Sequence, residues 1–88
     1  MTRREVTIVN ALGLHARAAA RFVHTAGAFQ SQIRVTRGDR TMDGKSILGL
    51  LLLSAGRGTT IEITADGPDE QQAIDALASL AARGFEAA

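Results

Sequence analysis

Hydrophobic residues change their spacing several times along the chain, and this succession of patterns constrains the fold more than any other feature. Apolar and polar residues alternate at first, with Val6 and Ile8 on one side, which predicts a half-buried strand over residues 5–9. Apolar residues then recur at helical positions i, i+3, i+4 and i+7, namely Ala19, Phe22, Val23 and Ala26. That stripe predicts an amphipathic helix over 16–26, with Gly27 as its C-cap.

The middle of the chain returns to alternation. Ile33 and Val35 predict a strand over 32–36, and Gly38-Asp39 is a two-residue turn into a further strand over 40–43. A fourth strand is predicted over 59–64, where the inward residues are Ile61 and Ile63.

Two more helices are predicted between and after these strands. Ser46 is a good N-cap for a short helix over 47–53, although periodicity alone would also allow a buried strand there. Residues 69–72 resemble a capping box, and Arg83-Gly84 is a suitable helix end. Between them lies an apolar stripe of Ile74, Leu77, Leu80 and Ala81.

The predicted order is therefore β-α-β-β-α-β-α in one domain, residues 1–88. Three helices on one face of a four-stranded, mostly antiparallel sheet would bury all the stripes at once, which makes this an α+β fold.

Composition excludes several classes of protein. The chain has no cysteine, so it has neither a disulfide framework nor a Cys-based metal site, and three Phe with no Trp or Tyr make the core aliphatic. No apolar signal-peptide region follows the charged start, and the longest apolar run, 47–53, is too short to cross a bilayer. We expect a cytoplasmic protein with no membrane association.

Charge is unevenly distributed. Residues 1–44 contain seven arginines and only three acidic residues, whereas residues 45–88 have an acidic excess. This distribution favours an acidic partner or a phosphate on one side of the molecule. Nucleic acid binding is disfavoured, because stacking aromatic residues and dense basic clusters are missing.

A histidine and an arginine stand at the predicted start of the first helix. If His15 is the N-cap or the first helical residue, the free N–H groups of this helix start point toward its ring. Those groups belong to Ala16, Arg17 and Ala18. The helix end, with about half a positive charge, favours an anion and disfavours an imidazolium, so we expect a neutral, nucleophilic His15.

Arg17 adds bidentate donors for phosphate oxygens. Reversible phosphorylation of His15 is one interpretation of this pair. On general grounds, a solvated histidine beside a solvated arginine is the commoner arrangement. The other histidine, His24, lacks companions for a metal site and is expected on the solvated surface.

Two motifs carry a resemblance to a known family. Gly13-Leu14-His15-Ala16-Arg17-Ala18-Ala19 is similar to the active-site motif of the HPr family, the histidine phosphocarriers of bacterial phosphotransferase systems. Gly44-Lys45-Ser46-Ile47-Leu48-Gly49-Leu50 resembles the second signature of that family, around its regulatory serine. The spacing of the motifs, residues 66–70 and the element order also agree over nearly the whole chain, and the motifs resemble the nitrogen-related, NPr-like branch.

The resemblance implies an HPr-like open-faced β-sandwich and a carrier function. His15 would accept a phosphoryl group from enzyme I on Nδ1 and pass it to an enzyme IIA-type acceptor, with phosphoenolpyruvate as the ultimate donor. Arg17 would stabilise the phosphate. Neither a metal nor an organic cofactor is implied.

One position departs from the family pattern, which has proline where this chain has Ala18. Proline is tolerated in the first turn of a helix, where its missing N–H has no helical partner. We expect phosphorylation to be retained with Ala18 and the lifetime of the phosphohistidine to be altered.

Ser46 and the residues after it have two interpretations each. Ser46 is explained by its N-cap role alone, worth about 1 kcal/mol, but the resemblance also implies phosphorylation by an HPr kinase/phosphorylase. In the apolar run that follows, Leu50 and Leu53 are expected in the core. Ile47, Leu48 and Leu51 are expected to form an exposed docking surface near His15. Arg21 would assist docking, although a place on the solvated face of its helix explains it equally well.

The alternative function is a regulatory protein-binding module that uses the same surface without carrying phosphate. The presence of both His15 and Arg17 argues against it.

Overall fold

In the computed structural model of the protein, which describes residues 1–86, four strands and three helices alternate in the predicted order. The elements are β1 (Thr2–Thr7), α1 (Ala16–Gly27), β2 (Gln32–Arg37), β3 (Arg40–Asp43), α2 (Ile47–Leu52), β4 (Thr60–Asp66) and α3 (Glu70–Ala82). The order β-α-β-β-α-β-α is confirmed, and the segment that could have been a buried strand is helix α2.

The strands form one antiparallel sheet in the order β1-β4-β2-β3. Val6 pairs with Ile61 and Val35 pairs with Ile63, so the inward residues of neighbouring strands stand side by side. β1 starts at Thr2 and not at Glu5, because pairing with β4 continues to the register of Thr2 with Ala65. Local alternation could not show that extension.

One face of this sheet is covered and the other is open. Ile33, Val35, Ile61 and Ile63 are buried as predicted, together with the helical residues Phe22, Ile74 and Leu77. Their neighbours in the strands, such as Arg34 and Glu62, are exposed or half-buried. The helices therefore pack on the buried face, which confirms the α+β architecture.

Two predicted helix ends are wrong in detail. Gly27 is the last residue of α1, and the C-cap is Ala28, which has an ordinary φ of −75°. No capping box forms at α3, because the carboxylate of Asp69 accepts hydrogen bonds from the backbone N–H of Gln30 and Ser31 and from the hydroxyl of Ser31. Asp69 thus ties the start of α3 to the α1–β2 loop and leaves its own helix without a side-chain cap.

Helix α3 ends at Arg83-Gly84, as predicted, and the segment after it runs toward the start of α1. Gly84 has a φ of +67°, its N–H donates to the carbonyl of Ala81, and the N–H of Phe85 donates to that of Leu80. These are the two bonds of a Schellman motif, in which a left-handed glycine ends the helix. Phe85 is buried, which fixes the last described turn against the core.

Within residues 1–86, no helix has the length and apolar character needed to span a membrane.

Candidate functional site

His15 is held in place by the loop that precedes α1. The N–H of Gly13 donates to the carbonyl of Asn10 at 3.1 Å, and the side-chain amide of Asn10 donates to the carbonyl of Gly13 at 2.6 Å. The N–H of Leu14 donates to the carbonyl of Ala55 at 2.8 Å, so the loop is also fixed to the α2–β4 connection. Gly13 has a φ of +65°, and a Cβ there would meet the oxygen of Ala55 at 2.5 Å. Only glycine fits this close approach without strain.

His15 is the N-cap residue of α1, one of the two positions expected for it. Its backbone is extended (φ −78°, ψ 179°), and its carbonyl accepts the first helical bond, from Ala19 at 2.8 Å. The ring turns back over the helix start, where Nδ1 accepts a hydrogen bond from the N–H of Arg17 at 3.3 Å. Because Nδ1 accepts this hydrogen bond, it carries a lone pair and no proton, and the ring proton of the neutral form belongs on Nε2.

Of the three N–H groups predicted to point toward the ring, the hydrogen bond comes from Arg17. Ala18, the third residue of α1, has a buried side chain. The methyl group of Ala18 therefore belongs to the core, and the position contributes only backbone to the helix start.

A groove with a volume of about 280 Å³ adjoins the histidine. His15, Arg17 and Arg21 line it, together with Gly84 and Glu86 from the segment that follows α3. A nucleophilic nitrogen, a helix N-terminus and two guanidinium groups thus share one concave surface. Such a surface suits a phosphoryl group in contact with the histidine.

The contribution of Gly84 and Glu86 to this groove was missed by the sequence analysis. Gly84 was recognised only as a helix end, and no local pattern connects it with a histidine near the other end of the chain. Arg21 explains the connection, because its Nη1 donates to the carbonyl of Phe85 at 2.8 Å. Arg21 therefore holds the segment that follows α3 against α1 as well as facing the groove.

Ser46 is the N-cap of α2, as predicted. Its hydroxyl oxygen accepts a hydrogen bond from the N–H of Gly49 at 3.0 Å, and the residue is half-buried. The opposite end of α2 is closed by the β2–β3 hairpin, where Arg37 donates to the carbonyl of Leu53 and Arg40 to that of Leu52. This helix of only six residues is thus fixed at both ends.

The apolar side chains of α2 divide as predicted. Leu50 and Leu53 are buried, whereas the α2 surface, formed by Ile47, Leu48 and Leu51, is 43%, 68% and 37% exposed, respectively. Leu52 is exposed as well, and its exposure was not predicted from the sequence. α2 packs against α1, the helix that His15 begins.

The shifted carboxyl groups lie at the start of α3 and not at the histidine. The hydroxyl of Thr2 and, next, the N-terminal ammonium lower the pKa of Glu70 to about 2, while the hydroxyl of Ser31 lowers the pKa of Asp69. Since α3 has 13 residues, they lie about 20 Å along the helix from its other end, which adjoins the site. Residues 1–86 contain no group of three His, Cys, Asp or Glu residues able to hold a metal ion.

Comparison with known proteins gives concordant matches. The family model described as "PTS HPr component phosphorylation site" matches residues 2–83. The phosphocarrier protein HPr of Cupriavidus necator is 51% identical over 85 residues, covering 97% of this chain and 96% of that protein. The phosphocarrier protein NPr of Shewanella violacea is 41% identical, covering 97% and 93%. A crystal structure of HPr from Thermoanaerobacter tengcongensis superposes with a TM-score of 0.94 at 40% identity and covers 100% of both chains.

Proposed function

The chain belongs to the HPr family, the phosphocarriers of phosphotransferase systems, and on that basis we propose that His15 accepts a phosphoryl group from phospho-enzyme I and passes it to an enzyme IIA-type acceptor. Phosphoenolpyruvate is the ultimate donor, and the exchange takes place in the cytoplasm. The chain is consumed and regenerated as a carrier.

The observation that carries the proposal is the position of Nδ1 at the start of α1, 3.3 Å from the backbone nitrogen of Arg17. The Nδ1 lone pair attacks phosphorus, a nitrogen–phosphorus bond forms, and the bond from phosphorus to the donor breaks. The donor leaves with that electron pair, and the proton on Nε2 of His15 stays in place. The same exchange run in the opposite direction delivers the phosphoryl group to the acceptor.

The groups around Nδ1 stabilise the transferred charge. Once Nδ1 bonds to phosphorus, the N–H of Arg17 is free to donate to a phosphoryl oxygen. The guanidinium of Arg17 supplies further donors, and the helix N-terminus contributes about 0.3–1 kcal/mol for an anion at an exposed position. Because this stabilisation is moderate, the phosphoryl group can leave again, as a carrier requires.

The decisive experiment is phosphoryl transfer from phosphoenolpyruvate through a cognate, active enzyme I. We expect an acid-labile, base-stable phosphate that peptide mass spectrometry assigns to His15 and not to His24, and that is absent from His15→Ala. Binding of the partners without any phosphate on the chain would contradict the proposal and favour the regulatory protein-binding module.

Ala18 is tested in the same assay. Ala18→Pro removes one N–H from the first turn, where proline is tolerated, so transfer should continue. We expect the hydrolysis rate of the phosphohistidine to change, because one donor near the phosphate is lost. Equal hydrolysis rates with Ala18 and with proline would show that this N–H does not contact the phosphate.

The α2 surface is the docking surface for both partners in this proposal, because three apolar side chains stand exposed on a helix packed against α1. Leu48→Asp and Leu48→Lys introduce opposite charges at one position. If apolar contact matters, both variants weaken enzyme I binding; if only charge matters, they act in opposite directions. Unchanged binding of both would show that this surface is not used.

Ser46 is the proposed site of regulatory phosphorylation by an HPr kinase/phosphorylase. It lies at the edge of the α2 surface, where a phosphate would remain compatible with the helix start but would repel acidic partners. Ser46→Asp and Ser46→Asn are matched variants, because both residues are good N-caps and only the first is charged. We expect transfer from enzyme I to be several-fold slower with Asp than with Asn, and equal rates would contradict the charge mechanism.

A further inference from the structure

Four basic side chains meet in a second groove, the α1–α3 groove, which lies between α1 and the end of α3. Arg17, Arg21 and His24 contribute from α1, and Arg83 contributes from the C-cap of α3. The volume of the groove is about 470 Å³. Small-molecule sites range from about 300 to 1,000 Å³, so the groove can hold a ligand larger than a phosphate ion.

These basic groups have no acidic partners among the described residues. The ion pairs within residues 1–86 use the N-terminal ammonium and Arg4, and no carboxylate oxygen lies within 4.0 Å of the charged nitrogens that line the groove. Placing these like charges together without an ion pair to neutralise them is unfavourable. Their common position around one concavity therefore indicates an anionic ligand.

Two of the guanidinium groups are fixed by neutral partners. Nη1 of Arg21 donates to the carbonyl of Phe85 at 2.8 Å, and Nη1 of Arg83 donates to the hydroxyl of Ser79 at 2.7 Å. A guanidinium has five N–H donors, so each arginine keeps others free for a ligand. Fixed donors lose less conformational freedom when a ligand binds, which favours binding.

The rest of the lining defines the ligand further. Ala20 is exposed and Leu80 is 4% exposed, and together they give the groove an apolar part; Glu86 is the one acidic residue among the described lining residues. Apart from His24, the described lining has three guanidinium groups and one carboxylate, an excess of two positive charges that a dianion would neutralise. The apolar surface would contact a short hydrocarbon part of the same molecule.

We propose that the α1–α3 groove binds a small organic dianion, of which a phosphomonoester is the simplest example. The arginines hold the anionic group, and Ala20 and Leu80 contact the apolar part. Arg17 lines both this groove and the groove at His15. A ligand bound here would therefore engage Arg17 and slow phosphoryl transfer, a consequence that rests on the proposed function.

The binding test needs neither enzyme I nor phosphorylation. Phenyl phosphate is titrated into the unphosphorylated, isotope-labelled chain, and amide chemical shifts are followed by NMR. We expect saturable shifts over residues 20–25 and at Arg83, and an affinity at least about tenfold higher than for inorganic phosphate, since only the ester has an apolar part. Equal affinities, or no saturation, would overturn the proposal.

Two variants test whether phenyl phosphate binds in the α1–α3 groove. Ala20 is exposed on α1, so Ala20→Asp puts a negative charge in the groove without disturbing the core, and we expect at least about tenfold weaker binding. Arg34→Gln makes the same change in net charge on the open face of the sheet and should leave the affinity unchanged. Equal weakening by both variants would mean that the probe responds only to overall charge, which contradicts a site in the groove.

His15→Ala separates this inference from the proposed function. Phenyl phosphate should bind to His15→Ala as it binds to the unmodified chain, since His15 does not line the α1–α3 groove. Loss of binding in this variant would place the probe at the start of α1 and overturn the assignment. A chain that binds the probe in the groove but fails to accept phosphate on His15 would refute only the proposed function.

Discussion

Helices α1 and α2 both begin at a side chain that accepts a hydrogen bond from the first turn, but the two caps differ in chemistry. Ser46 accepts from the third residue of α2 at 3.0 Å, and serine is among the best N-cap residues. His15 accepts from the second residue of α1 at a longer distance, 3.3 Å, and histidine is not a preferred cap. The start of α2 is therefore arranged for stability, whereas the start of α1 keeps an N–H that is weakly bound and available to an anion.

The start of α3 shows a third arrangement. Asp69 is a preferred N-cap residue by type, but its carboxylate accepts three hydrogen bonds from Gln30 and Ser31. Its side chain makes no cap bond in α3. The three helix starts thus differ in their hydrogen bonds: a histidine ring caps α1, a serine hydroxyl caps α2, and the aspartate at the start of α3 bonds to a distant loop.

Replacing the cap of α1 by a better one gives the largest expected effect. His15→Asn removes the nitrogen proposed to accept the phosphoryl group, so phosphorylation by enzyme I should be abolished. The variant should nevertheless be as stable as the original chain or more stable, by up to about 1 kcal/mol, because asparagine is a preferred N-cap. Phosphoryl transfer and urea unfolding measured on one preparation check both parts.

His15→Ala is the matched control for stability, because alanine cannot cap. It should be less stable than His15→Asn by about 0.5–2 kcal/mol. If the asparagine variant were the less stable of the two, the ring of His15 would have a structural role, and the contrast between α1 and α2 would not hold.

The next effect concerns the charge beside the α1 cap. Arg17→Gln keeps the backbone N–H that bonds to Nδ1 and removes the guanidinium, so the helix start persists while the phosphate loses its charged donor. We expect transfer from enzyme I to slow by about 100-fold, as is typical when a charge-stabilising donor is removed. The free energy of unfolding should change by less than about 0.5 kcal/mol, since Arg17 is exposed.

Arg34→Gln is the control for Arg17→Gln. Arg34 is exposed on the open face of the sheet, between the buried residues Ile33 and Val35. Both substitutions remove one positive charge, so equal slowing of transfer would indicate that Arg17 acts through net charge and not through contact with the phosphate.

The cap of α2 should behave in the opposite way from the cap of α1. Ser46→Ala leaves the N–H of Gly49 without its partner and should destabilise the chain by about 1 kcal/mol, with transfer to His15 changed by no more than about twofold. Urea unfolding and the transfer assay measure the two effects. Ser46→Asn restores a cap and should restore stability, and a failure to do so would mean that the serine acts through something other than capping.

The local patterns predicted the strands and helices well, because buried residues recur every two positions in a strand and every three or four positions in a helix. Ile33 and Val35 in β2, and Ile61 and Ile63 in β4, are two residues apart and point to the same side, so their place in the core could be read from the sequence. Ser46 was also predicted as a cap, and His15 as either the cap or the first helical residue, since a cap depends on the few residues that follow it. The division of α2 into buried Leu50 and exposed Leu48 followed from the small size of the domain.

What could not be predicted depends on residues far apart in the chain. Asp69 lies 38 residues from Ser31, and nothing local shows that its carboxylate bonds there and not to its own helix. Gly84 and Glu86 line the groove at His15 because α3 packs against α1, which the local sequence does not show. The start of β1 at Thr2 is set by its register with β4, which a single strand does not reveal.

The contacts at the start of α3 also predict the smallest effect, a dependence of the free energy of unfolding on pH. Glu70 accepts hydrogen bonds from the hydroxyl of Thr2 and the N–H of Gly67, and it forms an ion pair with the N-terminal ammonium. These contacts lower the pKa of Glu70 from 4.5 to about 2. A carboxyl with a lowered pKa stabilises the fold above its unfolded value and loses that contribution as the pH falls toward 2. Glu70→Gln should therefore destabilise the chain at about pH 6 and do so less at about pH 3, as measured by urea unfolding at the two pH values. If Glu70→Gln destabilised the chain equally at the two pH values, these contacts would act through the shape of the side chain and not through its charge.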